Sequence, residues 1–175
     1  MAPAAEYAGP VDQPTVELIV RLTARLSAAL FAAALILFAA GYPHDRRRQA
    51  FGARLFAGFI VAHTIHFVTV AWLAVVTAGE NIRERDGWAA VVTVAVLFYA
   101  AAFVVVHAWN DVMKGRSPSG KVSLIANVAL AAIAAVFLNS YLARVAVMPV
   151  YWLPALGLVG VVALYLARMR AAVSS

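Results

Sequence analysis

The sequence contains no cysteine. This absence excludes disulfides, thiolate-held iron–sulfur clusters, thioether-linked haem and cysteine nucleophiles from the chain. Charged residues are also scarce: they make up 13% of the chain, about half the usual share, whereas 65% of the residues are hydrophobic. Because no basic face alternates with exposed aromatic residues, we expect no nucleic-acid partner. The composition predicts a polytopic membrane protein whose main partner is the lipid bilayer.

Five apolar segments are each long enough to cross a bilayer, which takes about 20 helical residues. The predicted spans are about 14–42, 51–77, 88–109, 122–142 and 151–168. They predict an all-α fold, a single bundle of five transmembrane helices within 14–170, preceded by a flexible tail at 1–13. Arg21 and Arg25 interrupt the first span, and we expect one continuous helix whose arginines extend toward the membrane surface.

Loop charges predict how the bundle is oriented. Basic residues are concentrated after span one, after span three and at the carboxyl end: Arg46, Arg47, Arg48, Arg54, Lys114, Arg116, Lys121, Arg168 and Arg170. The positive-inside rule therefore predicts an amino terminus outside and a cytoplasmic carboxyl terminus. We expect a multi-pass protein of a bacterial-type inner (plasma) membrane.

Small residues recur at helical spacing in two of the spans. Gly58 and Ala62 lie four positions apart on span two, and Gly157 and Gly160 share one side of span five. Where no hydrophobic force drives helices together, small residues let them approach closely. We expect these positions to be contacts between helices.

Span two carries two histidines near its middle, His63 and His66. Counted from Phe51, His63 lies ~18 Å along the helix, and the pair projects from one side of it. Ionisable side chains at such depth are rare and usually functional. The functional interpretations are haem or metal ligation, or proton transfer. The alternative is a pair of neutral imidazoles that hydrogen-bond a neighbouring helix as packing contacts.

Candidate partners for this pair lie on span three. Because spans two and three are antiparallel, Tyr99 falls near the level of His63 and could donate a hydrogen bond to a ring nitrogen or to a ligand's carbonyl. His107 falls ~12 Å nearer the predicted cytoplasmic side, which makes it a poor axial partner for His63 in one subunit.

A second candidate group lies at that cytoplasmic edge. His107 and Asp111 are one turn apart, and a carboxylate at that spacing can fix an imidazole tautomer and raise its basicity. We therefore take Tyr99, His107 and Asp111 as candidate catalytic residues. His44 and Asn110 could join the edge group, and the alternative is a wet interface where polar groups cost little.

One stretch resembles a known family. Arg46 to Arg48, Gly52 and Phe56, followed by His63, resemble the span of ferric-reductase-like membrane domains in which arginines, a glycine and an aromatic residue precede a haem-ligating histidine. The likeness covers about residues 46–70. It implies a haem b held by His63, with His66 as the alternative ligand, and electron transfer across or along the membrane.

The family's partner helix has no counterpart, since spans four and five contain no histidine. This departure leaves a five-coordinate haem, ligation shared across a homodimer, or no haem. The leading hypothesis is a small membrane haem-b-binding protein of electron-transfer or oxidoreductase type, with Tyr99 as a distal polar group.

Two further hypotheses stay open at this point. In the first, a cofactor-free membrane enzyme or transporter uses the buried histidines for proton transfer on a lipid-soluble substrate, in a pocket between spans two, three and four. In the second, the chain is a structural subunit of a larger membrane complex.

Overall fold

The computed structural model describes residues 13–42, 44–77, 87–116, 120–145 and 148–171. The helices are α1 (Gln13–Gly41), α2 (Arg46–Val76), α3 (Gly87–Met113), α4 (Gly120–Val145) and α5 (Trp152–Ala171), with one 3-10 turn at Pro149–Tyr151. Five helices are long and apolar enough to cross a bilayer, and the described residues contain no strand. The predicted all-α fold with five such helices is confirmed.

Four of the five described helices are longer than the predicted spans. α2 begins at Arg46, five residues before the predicted start at Phe51, because Asp45 caps it. The Asp45 carboxylate accepts hydrogen bonds from the backbone N–H groups of Arg47 and Arg48, both at 3.0 Å. The length of an apolar run reflects the thickness of the hydrocarbon layer of the bilayer. A helix can be longer, because it continues as far as its backbone hydrogen bonds and caps allow. Residues 1–12 of the predicted tail and 78–86 of the predicted second loop lie outside the described residues.

α1 is continuous through its two arginines, as expected. Arg21 pairs with Glu17 one turn earlier at 3.1 Å, and both side chains lie on the exposed side of the helix. The charges therefore do not interrupt the backbone hydrogen bonds of α1.

The helices are arranged as a ring in chain order. Each packs against the next, and α5 returns to contact α1. Aromatic side chains fill the centre: Phe31 of α1 lies 5.1 Å from Phe59 of α2 and 5.8 Å from Phe137 of α4, centroid to centroid. Phe31 and Phe59 are completely buried. The core is thus a packed aromatic cluster to which α1, α2 and α4 all contribute.

Helices α1 and α2 approach closely at Gly52. A Cβ atom added there would lie 2.7 Å from the backbone nitrogen of Phe38 and 3.0 Å from the carbonyl oxygen of Ala34 on α1. Added Cβ atoms at Gly58, Gly157 and Gly160 would meet nothing within 4 Å among the described residues. The expectation that these three glycines bring helices of the bundle together is therefore wrong. In helices that are apolar on every side, spacing does not show which small residue faces a neighbour.

Candidate functional site

His63 lies inside the bundle in a cage of aromatic rings. Its side chain comes from the inner face of α2 and is only 7% exposed. The imidazole centroid is 4.4 Å from the ring of Phe98, 4.7 Å from Phe67, 5.4 Å from Phe137 and 5.6 Å from Phe59. Three helices, α2, α3 and α4, therefore enclose one polar ring in apolar surroundings.

One nitrogen of this imidazole is left without a hydrogen bond. His63 Nδ1 is buried and has no partner among the described residues. Leaving a buried polar atom unpaired costs about 1–3 kcal/mol, and native proteins rarely do so without a reason. The packing interpretation, in which both imidazoles bond a neighbouring helix, therefore does not account for this atom.

A cavity of about 140 Å³ adjoins the His63 ring. Apart from His63, its lining is apolar and comes from α3 and α4: Val94, Leu97, Phe98, Ala101, Ala132, Ile133, Val136 and Phe137. Leu97 and Val136 are 63% and 50% exposed, so the cavity reaches the outer surface between α3 and α4. An apolar cavity of similar size, ~150 Å³, holds benzene in another protein. The space accepts a body the size of a single ring.

His66 lies beside His63 but is held differently. The two ring centroids are 5.4 Å apart. His66 Nδ1 lies 3.2 Å from the Thr23 hydroxyl of α1, and that hydroxyl also lies within hydrogen-bond distance of two carbonyl oxygens of its own helix. The structure thus brings the predicted pair together, with His66 connected to α1 and His63 turned to the cavity.

Tyr99 lies at the level predicted for it, but it contacts a different residue. Its hydroxyl is 2.8 Å from the Thr64 hydroxyl, and neither imidazole is its hydrogen-bond partner. The tyrosine ring packs against Phe98 and Phe67, and its side chain is 41% exposed. Tyr99 therefore joins α3 to α2 one residue away from His63, at the edge of the aromatic cage.

His107 and Asp111 do approach each other, away from the cavity. His107 Nε2 lies 3.8 Å from Asp111 Oδ2, and Arg116 lies 3.9 Å from the other carboxylate oxygen. The His107 side chain is 67% exposed and packs on Phe103. The helical turn places it roughly opposite the α3 residues that line the cavity. Within the described ranges, no group of three or more histidine, aspartate or glutamate side chains could hold a metal ion, His44 included.

The residues around His63 do not fit a haem in this chain. The cavity is smaller than the ~300–1,000 Å³ typical of cofactor pockets, and phenylalanine rings pack closely around the imidazole. His63 is the one histidine in the lining, and the lining offers no basic group to pair with propionates. The haem, metal-ligation and oxidoreductase hypotheses stay predictions. A Soret band in purified, haem-supplemented protein is the measurement that decides them.

The stretch that resembles ferric reductases makes contacts that stabilise the bundle. Asp45 caps its first turn, and Arg46 donates a hydrogen bond to the carbonyl of Val112 at the end of α3. Gly52 allows α1 to approach, and Phe56 is completely buried in the core. These contacts explain an arginine, a glycine and an aromatic residue before His63 without reference to a haem.

Comparisons with protein-family models, curated proteins and solved structures gave no match to this chain. The resemblance over about residues 46–70 therefore stays a prediction.

Sequence reasoning missed three polar residues that the bundle uses. Thr23 and Thr64 provide hydroxyl partners for His66 and Tyr99. Gln49 is completely buried, and its amide donates to the Gly41 carbonyl at 3.2 Å. For Thr64, a hydroxyl within an apolar run was the available signal, because such a group needs a partner inside a bundle. Thr23 and Gln49 stand close to arginines, and the sequence carries no such signal for them.

Proposed function

We propose that this chain is a multi-pass membrane protein that binds a lipid-soluble substrate against His63, as a cofactor-free membrane enzyme or transporter. The observation that carries the proposal is a buried imidazole with an unpaired nitrogen beside an apolar cavity. A ligand with an apolar body and one polar group would fill the cavity and place that group against the imidazole, the one polar side chain of the lining.

The position of the cavity favours entry from the bilayer. Its rim residues Leu97 and Val136 belong to the exposed surface of α3 and α4, which is apolar over most of its length. In the proposed orientation, with the amino terminus outside and the carboxyl terminus in the cytoplasm of a bacterial-type cell, that surface faces acyl chains. A substrate dissolved in the membrane would enter sideways between these two helices.

The chemistry available to His63 defines the polar group of the substrate. A neutral imidazole has one N–H donor and one nitrogen acceptor, so it can donate to a carbonyl or accept from a hydroxyl. It can also take or give one proton at that group. His66, with its ring centroid 5.4 Å away and its Nδ1 beside Thr23, is the next side chain to which a proton could pass.

Two probe molecules of similar shape test the proposal. Phenol and benzene both fit a cavity of this size, but only phenol offers a hydroxyl to His63. The chain has four histidines, so protein labelled with ¹⁵N-histidine in lipid nanodiscs gives a spectrum that single-histidine variants can assign. We expect phenol to change the ¹⁵N chemical shifts of the His63 ring nitrogens until the site is saturated. Benzene should not produce the change in these shifts that is characteristic of a hydrogen bond.

The exposed His107 provides the matched control. His107→Leu should keep the saturable response, and His63→Leu should lose it. Phenol that merely partitions into the lipid would shift all four histidines without saturation. A His63 signal that only drifts in this way, up to the solubility limit of phenol, would contradict the proposal.

A further inference from the structure

Two arginines converge on one tyrosine where α4 ends and α5 begins. Arg25 of α1 donates a hydrogen bond to the Tyr151 hydroxyl at 3.1 Å. The guanidinium carbon of Arg144, near the end of α4, lies 6.0 Å from the centre of the same ring. Tyr141, one turn before Arg144, stacks on Tyr151 at 6.2 Å. Helix α1 and the α4–α5 connection thus place two positive charges beside one phenol.

Within the described part of the chain, these two arginines have no carboxylate partner of the kind that Arg21 has. Arg21 is paired with Glu17, whereas no carboxylate of the described residues lies within 4 Å of the guanidinium groups of Arg25 or Arg144. Two guanidinium groups held near one another repel, and the repulsion grows as the surroundings become less polar. The arrangement is therefore suited to an anion that lies between them.

The cluster sits on a recessed part of the bundle. Thr23 contacts His66 and Arg25 contacts Tyr151, so the α4–α5 connection lies at about the level of His66. From His66, α2 continues to Val76, a rise of ~15 Å. The part of α2 beyond this level is apolar and exposed, with Val75 76% exposed. If the bilayer covers that end of α2, the arginines lie below its surface, where cations attract phosphate headgroups.

We propose that Arg25, Arg144 and Tyr151 form a binding site for the phosphate group of an anionic membrane lipid. Guanidinium groups bind phosphate oxygens through paired, charge-assisted hydrogen bonds, and a tyrosine hydroxyl can donate one more. The acyl chains of that lipid would lie along the exposed apolar surface of the bundle. The site also gives a reason for arginines on the side that the positive-inside rule leaves poor in basic residues. It is independent of the cavity beside His63.

The test counts lipids that stay bound to the full-length protein. Protein in non-ionic detergent is titrated with dioleoyl phosphatidylglycerol and read by native mass spectrometry, with inorganic phosphate added as a competitor in a second series. Arg25→Gln combined with Arg144→Gln should weaken phosphatidylglycerol binding about tenfold or more. Arg47→Gln combined with Arg54→Gln removes the same charge from exposed arginines toward the other end of the bundle and should change binding less than about twofold.

Tyr151→Phe keeps both charges and provides a second test in case the double variant does not fold. It should weaken lipid binding about threefold, because one donor is lost and Arg25 loses its anchor. Competition by millimolar phosphate would support the site with a soluble phosphate as its ligand, and lack of competition would support the lipid. If the two double variants bind phosphatidylglycerol with equal affinity, whether both affinities decrease or neither does, the proposal is overturned.

Discussion

Two parts of α2, on the same inner face of the helix, are built differently. Near its start, Gly52 brings the backbones of α1 and α2 together, and Phe56 is completely buried. Three helical turns further on, His63 adjoins a cavity of about 140 Å³ lined by α3 and α4. The first part is closely packed, and the second keeps space beside a polar ring. We infer that the packed part carries stability and that the open part carries binding.

The largest expected effect disrupts the packed part of α2. Gly52→Ala should destabilise the protein by about 3 kcal/mol or more, because the new methyl group meets the backbone of α1, which cannot move aside as a side chain can. Gly58→Ala is the matched control, since its Cβ meets nothing, and it should be neutral or stabilise by up to about 1 kcal/mol. Thermal unfolding in detergent measures both. Equal stability of the two variants would show that α1 and α2 do not approach at Gly52.

The next effect fills the cavity beside the open part of α2. Ala132→Leu adds side-chain atoms to the cavity lining and should weaken phenol binding about tenfold, since overpacking costs about 1–3 kcal/mol. Ala131 is the neighbouring alanine, is also exposed, and does not line the cavity. Ala131→Leu should bind phenol as the unaltered protein does. The ¹⁵N-histidine titration distinguishes them, and equal affinities would place the phenol outside this cavity.

A smaller effect concerns the imidazole itself. His63→Leu removes a buried nitrogen that has no partner within the described chain, so it should raise stability by about 1 kcal/mol while abolishing the phenol response. His107→Leu, on the exposed face of α3, should change stability by less than about 0.5 kcal/mol. Chemical unfolding of both variants checks the sign. If His63→Leu were clearly destabilising, His63 would be a packing residue that the bundle needs.

The smallest effect concerns the link at the edge of the aromatic cage. Tyr99→Phe and Thr64→Val each remove one hydroxyl of the 2.8 Å contact between α3 and α2 and should cost about 0.5–1 kcal/mol. The double variant should cost little more than either single change, because the two hydroxyls share one hydrogen bond. Strictly additive losses would mean that the two hydroxyls do not interact.

Features that depend on distance along a helix could be predicted from the sequence. Apolar length predicts five helices and a continuous α1, and helical geometry predicts Tyr99 near the level of His63 and the contact of His107 with Asp111. These features follow from distances along a helix. They need no knowledge of which side faces the core.

What could not be predicted depends on the rotation of each helix. Gly52 and Gly58 differ only in direction, and in a helix that is apolar all round the hydrophobic pattern does not distinguish the inner face from the outer. Because the rotation of each helix is not known from the sequence, neither the contact of Thr64 with Tyr99 nor the cavity could be predicted. Charge in the sequence predicts a loop up to Phe51, whereas Asp45 caps a helix that begins at Arg46.

The ligand space beside His63 is tested most directly by a crystal structure with 4-bromophenol. Crystals grown in a lipid mesophase and soaked in this probe would locate bromine by its anomalous scattering. We predict a bromine peak between α3 and α4, among Leu97, Ala132 and Val136, with the phenol hydroxyl within hydrogen-bond distance of His63. A cavity filled by protein side chains, or bromine found only elsewhere on the bundle, would contradict the account.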